Sequence, residues 1–580
     1  MRIRLFFFDL FTRGFVLPLF ILFSVFLPKS LCAGGLSGGW IERFLPAAVI
    51  STPVPSLDIP PLPAPPAGKT SAEAHNKGVN ASNRGVTLME SGDLVHAGDA
   101  FREAVELDPR EKAFLNNQIL AWKKLKHNPD EILELCRRLI ALDPKSFTAP
   151  YGAGILLLEQ LKKPLLAIPY LKMAHEAKSE DPMLAVTLAS AWQSAGYPDQ
   201  AIELLSRYAH LVKGDVYPMY LLGSLLLERR EFAPALRAFE AVVRNDSEGY
   251  VREALIRTKF YCGQLQGLAE EIRRLLMQNP RVPNRQSLER ILFALSPHQL
   301  RLVETISVDL VNPGSLQTMR LLIRQPPSRA GHQKITIEKA EWVSGKRAVA
   351  ASFSPPDADG RSSFSTPSEF FAPRVSLRLQ YLISVEPWLA SRGPFIPDTS
   401  PDIRNLQSDE SLAVNSPEVS DLEIRLFRLP GNQLQNYYQA VGRGLRYKEN
   451  FENQQVPWIF SHLDACDCTE FASLLAALCL RRSLPARVVT GFLLKSELIG
   501  QETNVGHAWT EIFFPDRGWI PADPTLGQNM HWAYFGNLLS DQIYFDVQEP
   551  GRKTRVTADL TTSNTDVGIK ISSTYRFTLL

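Results

Sequence analysis

The sequence predicts a multi-domain chain: an all-α solenoid of helical repeats, then a β-sandwich-like middle domain, then an α+β domain at the C-terminal end. Three observations carry this. Marks of paired helices recur every 35 to 38 residues within 81–290, short β-rich runs fill 296–395, and one apolar helix pattern followed by strand patterns fills 426–555. At 580 residues the chain is too long for a single hydrophobic core, so several domains are expected. Its composition, 45% hydrophobic and 21% charged, is that of an ordinary globular protein.

The N-terminal residues are read first. Met1-Arg2-Ile3-Arg4 is basic, and FVLPLFILFSVFLP runs from Phe15 to Pro28 without a charge. Such a stretch suits the apolar core of a signal peptide better than a spanning helix, which needs about 20 residues. Leu31 and Ala33 occupy the −3 and −1 positions of a cleavage site, so residues 1–33 are expected to be a leader and the protein to be extracytoplasmic, periplasmic or secreted. The LFFFDLF block extends the apolar segment, which also fits an uncleaved membrane anchor. Cys32 invites a lipid anchor, but Leu31 before it is bulkier than such sites favour. Residues 34–80 form a Pro-rich linker: seven prolines fall in STPVPSLDIPPLPAPPAG, a composition that favours an extended, semi-rigid spacer.

Within 81–290, Leu107-Asp108-Pro109 recurs as Leu142-Asp143-Pro144, and Asp181-Pro182 follows. Between these marks lie paired helical patterns. Gly92 and Gly196 close first helices; Ala100 and Ala201 open the packing faces of second ones; Gly223, Ala235 and Phe239 repeat the scheme. This array resembles the tetratricopeptide repeat, whose period is about 34 residues, with the unit at 114–144 the loosest match. The resemblance implies a curved solenoid with a surface for a protein partner.

The runs LRLVETISVDLVNP, MRLLIRQP, KITIEKAEWV and VSLRLQYLISVEP are partly alternating and predict an antiparallel β-sandwich over 296–395. A polar linker is expected over 396–425, and a β extension over 556–580. In the C-terminal domain, Asn432 to Tyr447 reads as an amphipathic helix.

The chemistry is concentrated in three segments. Asp467 followed three residues later by Glu470 is a capping-box pattern, and Phe471, Leu474, Leu475 and Leu478 then mark one face of a buried helix. Cys468 thus falls at the first helical position, where backbone N–H groups and the helix dipole favour a thiolate. HAWTEIFF, a turn at Pro515–Gly518, and WIPADPT read as a hairpin that carries His507 and Asp523. Register counting leaves those two up to about three positions apart, a gap that a bend at Pro521 would close. A thiolate nucleophile, an imidazole base and an orienting carboxylate are what thiol-based acyl transfer requires.

CTEFASLLAALCLRRSLPARVVTGF, GHAWTEIF and GWIPADPT together resemble the transglutaminase-like superfamily, a papain-like α+β core. The resemblance implies Cys468 as nucleophile, His507 as base and Asp523 as orienting acid, acting on amide bonds of a protein or peptide substrate. Hydrolysis ranks ahead of amine transfer, because the superfamily includes many bacterial-type peptidases. One departure is Ser483-Leu484, where Gly-Ile is usual before Pro-Ala-Arg.

The remaining candidates have lesser expected roles. Cys466 stands before the cap and reads as a neighbour or redox partner, and Cys479 as core. Trp509 and Trp519 are expected to wall the site, and Glu511 to be a structural or solvated charge. Of six cysteines, five remain without Cys32, an odd number that leaves a free thiol and argues against a disulfide scaffold. The chemistry needs no metal or cofactor. A net charge of +2, with no concentrated basic run, excludes nucleic acid as the expected partner. The rival reading is a repeat-based adaptor carrying a relic site, against which the intact triad weighs.

Overall fold

Within the repeats, helix ends are set by side chains that serve otherwise unpaired backbone groups. Asp93, Asn128 and Asp181 each cap a helix through a side-chain oxygen, and Pro129 and Pro182 stand at first helical positions. Thirteen described α-helices, from α1 (Ala72–Glu90) to α13 (Arg285–Ala294), pack each on its sequence neighbours. Gly92 and Gly196 adopt φ of 88° and 85°, the left-handed conformation that ends a helix, and Ala100 and Ala201 are buried. Gly223 makes room for a ring: a Cβ there would lie 2.6 Å from Phe239. The structure, a computed structural model, describes residues 40–45, 57–390, 401–449, 454–495, 498–530, 532–548, 555–563 and 567–580. The expected leader, Cys32 and the start of the Pro-rich run lie outside the described residues.

The linker expected over 34–80 is not free chain where it is described. Leu57, Ile59 and Leu62 pack on the repeat core, and Arg110 Nη1 donates to the Gly68 carbonyl at 2.8 Å. Residues 72–80 already belong to α1. Trp40, a single 3-10 turn (Ile41–Arg43) and Phe44 reach the C-terminal domain instead, where Gly444 leaves the slot that the Phe44 ring fills.

The strand-rich middle contains β1 (His298–Val311), β2 (Leu316–Arg324), β3 (Gln333–Ser344), β4 (Arg347–Ala350), β5 (Arg361–Ser365), β6 (Arg374–Val385) and β7 (Trp388–Leu389). Alternating burial along β1 and β6 is the half-buried pattern read from the sequence. Two antiparallel sheets enclose one core of Leu302, Leu321, Trp342, Leu377 and their neighbours. The C-terminal extension is part of this body. β14 (Val556–Thr562) pairs with β2, and β15 (Gly568–Leu579) runs beside β1 from Leu300↔Leu579 to Val311↔Gly568.

The α+β unit holds α14 (Ile403–Gln407), α15 (Pro417–Phe427), α16 (Gln433–Gly444), α17 (Val456–Ile459), α18 (Cys468–Arg481) and α19 (Pro524–Met530). Its strands are β8 (Ala486–Leu493), β10 (His507–Phe514), β11 (Gly518–Ala522) and β13 (Gln542–Gln548), in the order β11-β10-β8-β13; short β9 (Glu502–Thr503) and β12 (Asn537–Leu538) pair with β15 and β7. Helix α18 lies against this sheet and is almost wholly buried. The segment expected as a plain linker over 396–425 contributes α14 and most of α15 among its described residues, because Leu406, Val419 and Leu422 are apolar enough to join the core around α18.

Candidate active site

Asp467 starts α18. Its side chain accepts the Thr469 N–H at 2.7 Å, and Glu470 accepts the Asp467 N–H at 2.7 Å, closing the capping box. Cys468 is therefore the first helical residue, 8% exposed, with its thiol at the positive end of the helix. The far end turns back at Ser483, whose φ of 58° is left-handed, and the Leu484 N–H bonds the Cys479 carbonyl at 3.0 Å. Ser483 thus occupies a conformation that favours the glycine usual at this point of the motif.

Strand β10 is pinned to α18 by Thr510, whose hydroxyl donates to the Ala472 carbonyl at 2.8 Å. This places His507 beside the helix start. His507 Nε2 lies 2.6 Å from Asp523 Oδ2, and Cys468 is near enough to the same ring to favour its protonated form. The three sequence-predicted residues are brought together.

The device that joins His507 to Asp523 differs from the one expected. β11 keeps its register through Pro521, with Thr510 opposite Ala522, so a continued strand would set Asp523 opposite Trp509. Instead the strand ends and Asp523 caps α19. Its Oδ1 accepts the Leu526 N–H at 3.1 Å, and its carbonyl accepts the Tyr438 hydroxyl at 2.9 Å. Turning into a helix, not a proline bend, swings the carboxylate toward the histidine.

Electrostatics separate the cysteines. Burial alone would pull the His507 imidazole down, but the Asp523 charge and hydrogen bond, with those of Cys468, push it up to about 10. The Asp523 carboxylate thus favours the protonated ring beside Cys468. Cys466, two residues before Cys468, is buried and its thiol donates to the His462 carbonyl at 3.4 Å. Burial and then the Glu470 charge push that thiol up to about 12. Burial raises Cys136 and Cys262 to about 11, and Cys479 higher still. All five described cysteines are free thiols.

Two expected wall residues part company. Trp509 is fully buried with Trp388, Val489 and Tyr544, its ring 6.1 Å from His507, and its indole N–H has no acceptor among the described residues. Trp519 sits opposite Phe513, six residues along β10 from His507, under the Arg487 guanidinium, so it does not line the site. Hairpin register, not visible from alternation alone, places it there. Glu511 is structural and not solvated: it is fully buried between Arg329 and Arg487. Burial raises its carboxyl, and the two guanidiniums outweigh that and lower it.

Residues with no signal in the sequence complete the surroundings of Asp523. Gln542 Nε2 donates to Asp523 Oδ2 at 3.1 Å, and the Asp523 N–H bonds the Tyr534 carbonyl at 3.1 Å. The same loop meets the solenoid, with the Trp532 N–H on the Tyr261 carbonyl at 3.1 Å and the Ser540 N–H on that of Ala294 at 2.9 Å.

Residues 428–524 match the transglutaminase-like superfamily, and residues 84–212 match the tetratricopeptide repeat. Among curated proteins there is no match. Solved structures resemble parts of the fold. A candidate cysteine protease from Cytophaga hutchinsonii is 14% identical, covers 48% of this chain and 91% of its own, at a TM-score of 0.32. YrrB, a TPR protein with an unusual peptide-binding site, is 18% identical over 33% of this chain and all of its own, at a TM-score of 0.29. MamA from Desulfovibrio magneticus RS-1 is 19% identical over 30% of this chain and 97% of its own, at a TM-score of 0.28. The chain carries a transglutaminase-like core behind an array of tetratricopeptide repeats.

Proposed function

We propose that this protein is an exported thiol enzyme that opens amide or isopeptide bonds of a protein or peptide through a Cys468 thioester. The observation that carries the reading is the alignment of Cys468, at a helix start, with a His507 held 2.6 Å from Asp523. The Cys468 thiolate attacks the carbonyl carbon, and the backbone N–H groups of the first turn of α18 favour the developing oxyanion. His507 gives its proton to the departing amine, and Asp523 keeps the ring oriented and compensates its charge. A water, or an amine, then attacks the thioester; His507 takes the proton from it and Cys468 leaves as thiolate. Hydrolysis is the favoured outcome.

The repeats hold a protein or peptide partner, as solenoid surfaces do. The basic, apolar start of the chain supports an extracytoplasmic location, periplasmic or secreted, with cleavage after Ala33 or retention as a membrane anchor.

The test is a thiol-directed activity probe on the full chain, with proteins captured by Cys468→Ala supplying the substrate. Cys468→Ala should lose all covalent turnover, Cys466→Ala should keep most of it, and Asp523→Asn should lose less than His507→Ala. Full turnover by Cys468→Ala would overturn the assignment of the nucleophile, and a chain in which no thiol reacts faster than a cysteine peptide would leave the adaptor reading in its place.

A further inference from the structure

The Asp523 carboxylate oxygen that bonds His507 has a second donor, and that donor is held from outside the matched core. Gln542 is 1% exposed and opens β13. Its Nε2 donates to Asp523 Oδ2 at 3.1 Å, while its Oε1 accepts the Leu539 N–H at 3.3 Å. The amide has one possible orientation here. A carboxylate only accepts and a backbone N–H only donates, so Nε2 must face Asp523 and Oε1 must face Leu539.

The middle domain grips the same strand. His332 Nε2 lies 2.9 Å from the Gln542 carbonyl, and its Nδ1 lies 2.8 Å from that of Glu386. The next residue, Gln333, takes the peptide of Tyr544 from both sides: its Nε2 donates to the Tyr544 carbonyl at 2.8 Å, and its Oε1 accepts the Tyr544 N–H at 3.0 Å. Arg329 lies 3.9 Å over the Tyr544 ring and reaches Glu511 on β10. Three residues within 329–333 therefore fix the two strands that carry His507 and Gln542.

We propose that Gln542 is a positioning residue for the triad, holding the Asp523 carboxylate in line with His507, and that the 329–333 segment of the middle domain holds Gln542 in place. This rests on the enzyme reading above. Without its amide donor, Asp523 keeps Oδ1 on α19 but its other oxygen is free to turn from the imidazole. The middle domain is then part of the working site, not an appendage to it.

The test uses the full chain and the alkylation rate of Cys468 by iodoacetamide, followed by peptide mapping from pH 5 to 9 and expressed as a ratio to the wild type. Gln542→Ala should slow Cys468 about tenfold, the worth of one charge-assisted hydrogen bond, at every pH. Gln542→Glu should behave differently. At low pH the introduced carboxyl is protonated and donates to Asp523 as the amide does, so its ratio stays near one. As pH rises that proton is lost, two carboxylates face each other, and the ratio should fall about tenfold or more. The other titratable groups around this contact are His507, Tyr438, Tyr534 and Asp541, with His332 against the Gln542 carbonyl; Gln542→Ala, which adds no titrating group, is the control for any change in them. A residue needed only for folding would give a flat ratio for both variants. A flat ratio for Gln542→Glu, or a Gln542→Ala rate within twofold of the wild type, overturns the proposal. A wild-type Cys468 no faster than a cysteine peptide overturns the enzyme reading itself, and the proposal with it.

Discussion

In the solenoid each helix packs on the helices before and after it, whereas the unit around Cys468 draws its core from segments hundreds of residues apart. Phe44 fills a slot at Gly444, and Arg329 reaches Glu511 from 182 residues away. The two designs should fail differently. A solenoid loses a neighbourhood when one contact goes, because its stability is close to a sum over adjacent units. The catalytic unit should lose its geometry as a whole.

The largest expected effect is at Glu511. Glu511→Gln removes the buried charge that Arg329 and Arg487 share and should cost about 3–5 kcal/mol in denaturant unfolding followed by tryptophan fluorescence. It should also slow alkylation of Cys468. Phe239→Ala removes a comparably buried side chain from the solenoid, yet Cys468 should react at the wild-type rate. Equal loss of Cys468 reactivity in both variants would break the comparison.

The next effect is in pH. His507 is raised from an ordinary 6.5 to about 10, so the stability it contributes is complete below about 6.5 and is lost as pH rises through about 10. The unfolding midpoint of the catalytic unit should therefore fall between pH 7 and 10, and fall less in Asp523→Asn. A midpoint that is level across this range in the wild type would contradict the ion pair. The smallest effect sharpens the comparison inside α18: Ser483→Gly relieves a left-handed φ of 58° and should add about 1 kcal/mol, read as a raised Tm. A lowered Tm would mean that the serine has a partner worth more than the strain.

The same contrast explains what the sequence made legible. Helix pairs, the capping box at Asp467 and the turn at Pro515–Gly518 are local, written in residues a few positions apart, and they were readable. So were Cys468, His507 and Asp523 as three ordered motifs. The supports were not. Gln542 lies 19 residues past Asp523 with no motif around it, and His332 meets it from 210 residues away. Trp509 and Trp519 both read as walls of the site, while the hairpin register sends Trp519 to the far end. The linker over 396–425 looks polar on average, yet a few apolar residues, Leu406, Val419 and Leu422 among them, seat its described residues in the core.

The most direct test of the account is the order in which the thiols react. With limiting iodoacetamide at neutral pH and peptide mapping of the full chain, Cys468 should be labelled first, because it stands at a helix start beside an imidazolium. Cys466, Cys136, Cys262 and Cys479 should follow far behind, since burial holds each of them as the unreactive thiol. Labelling of Cys466 ahead of Cys468 would contradict the account.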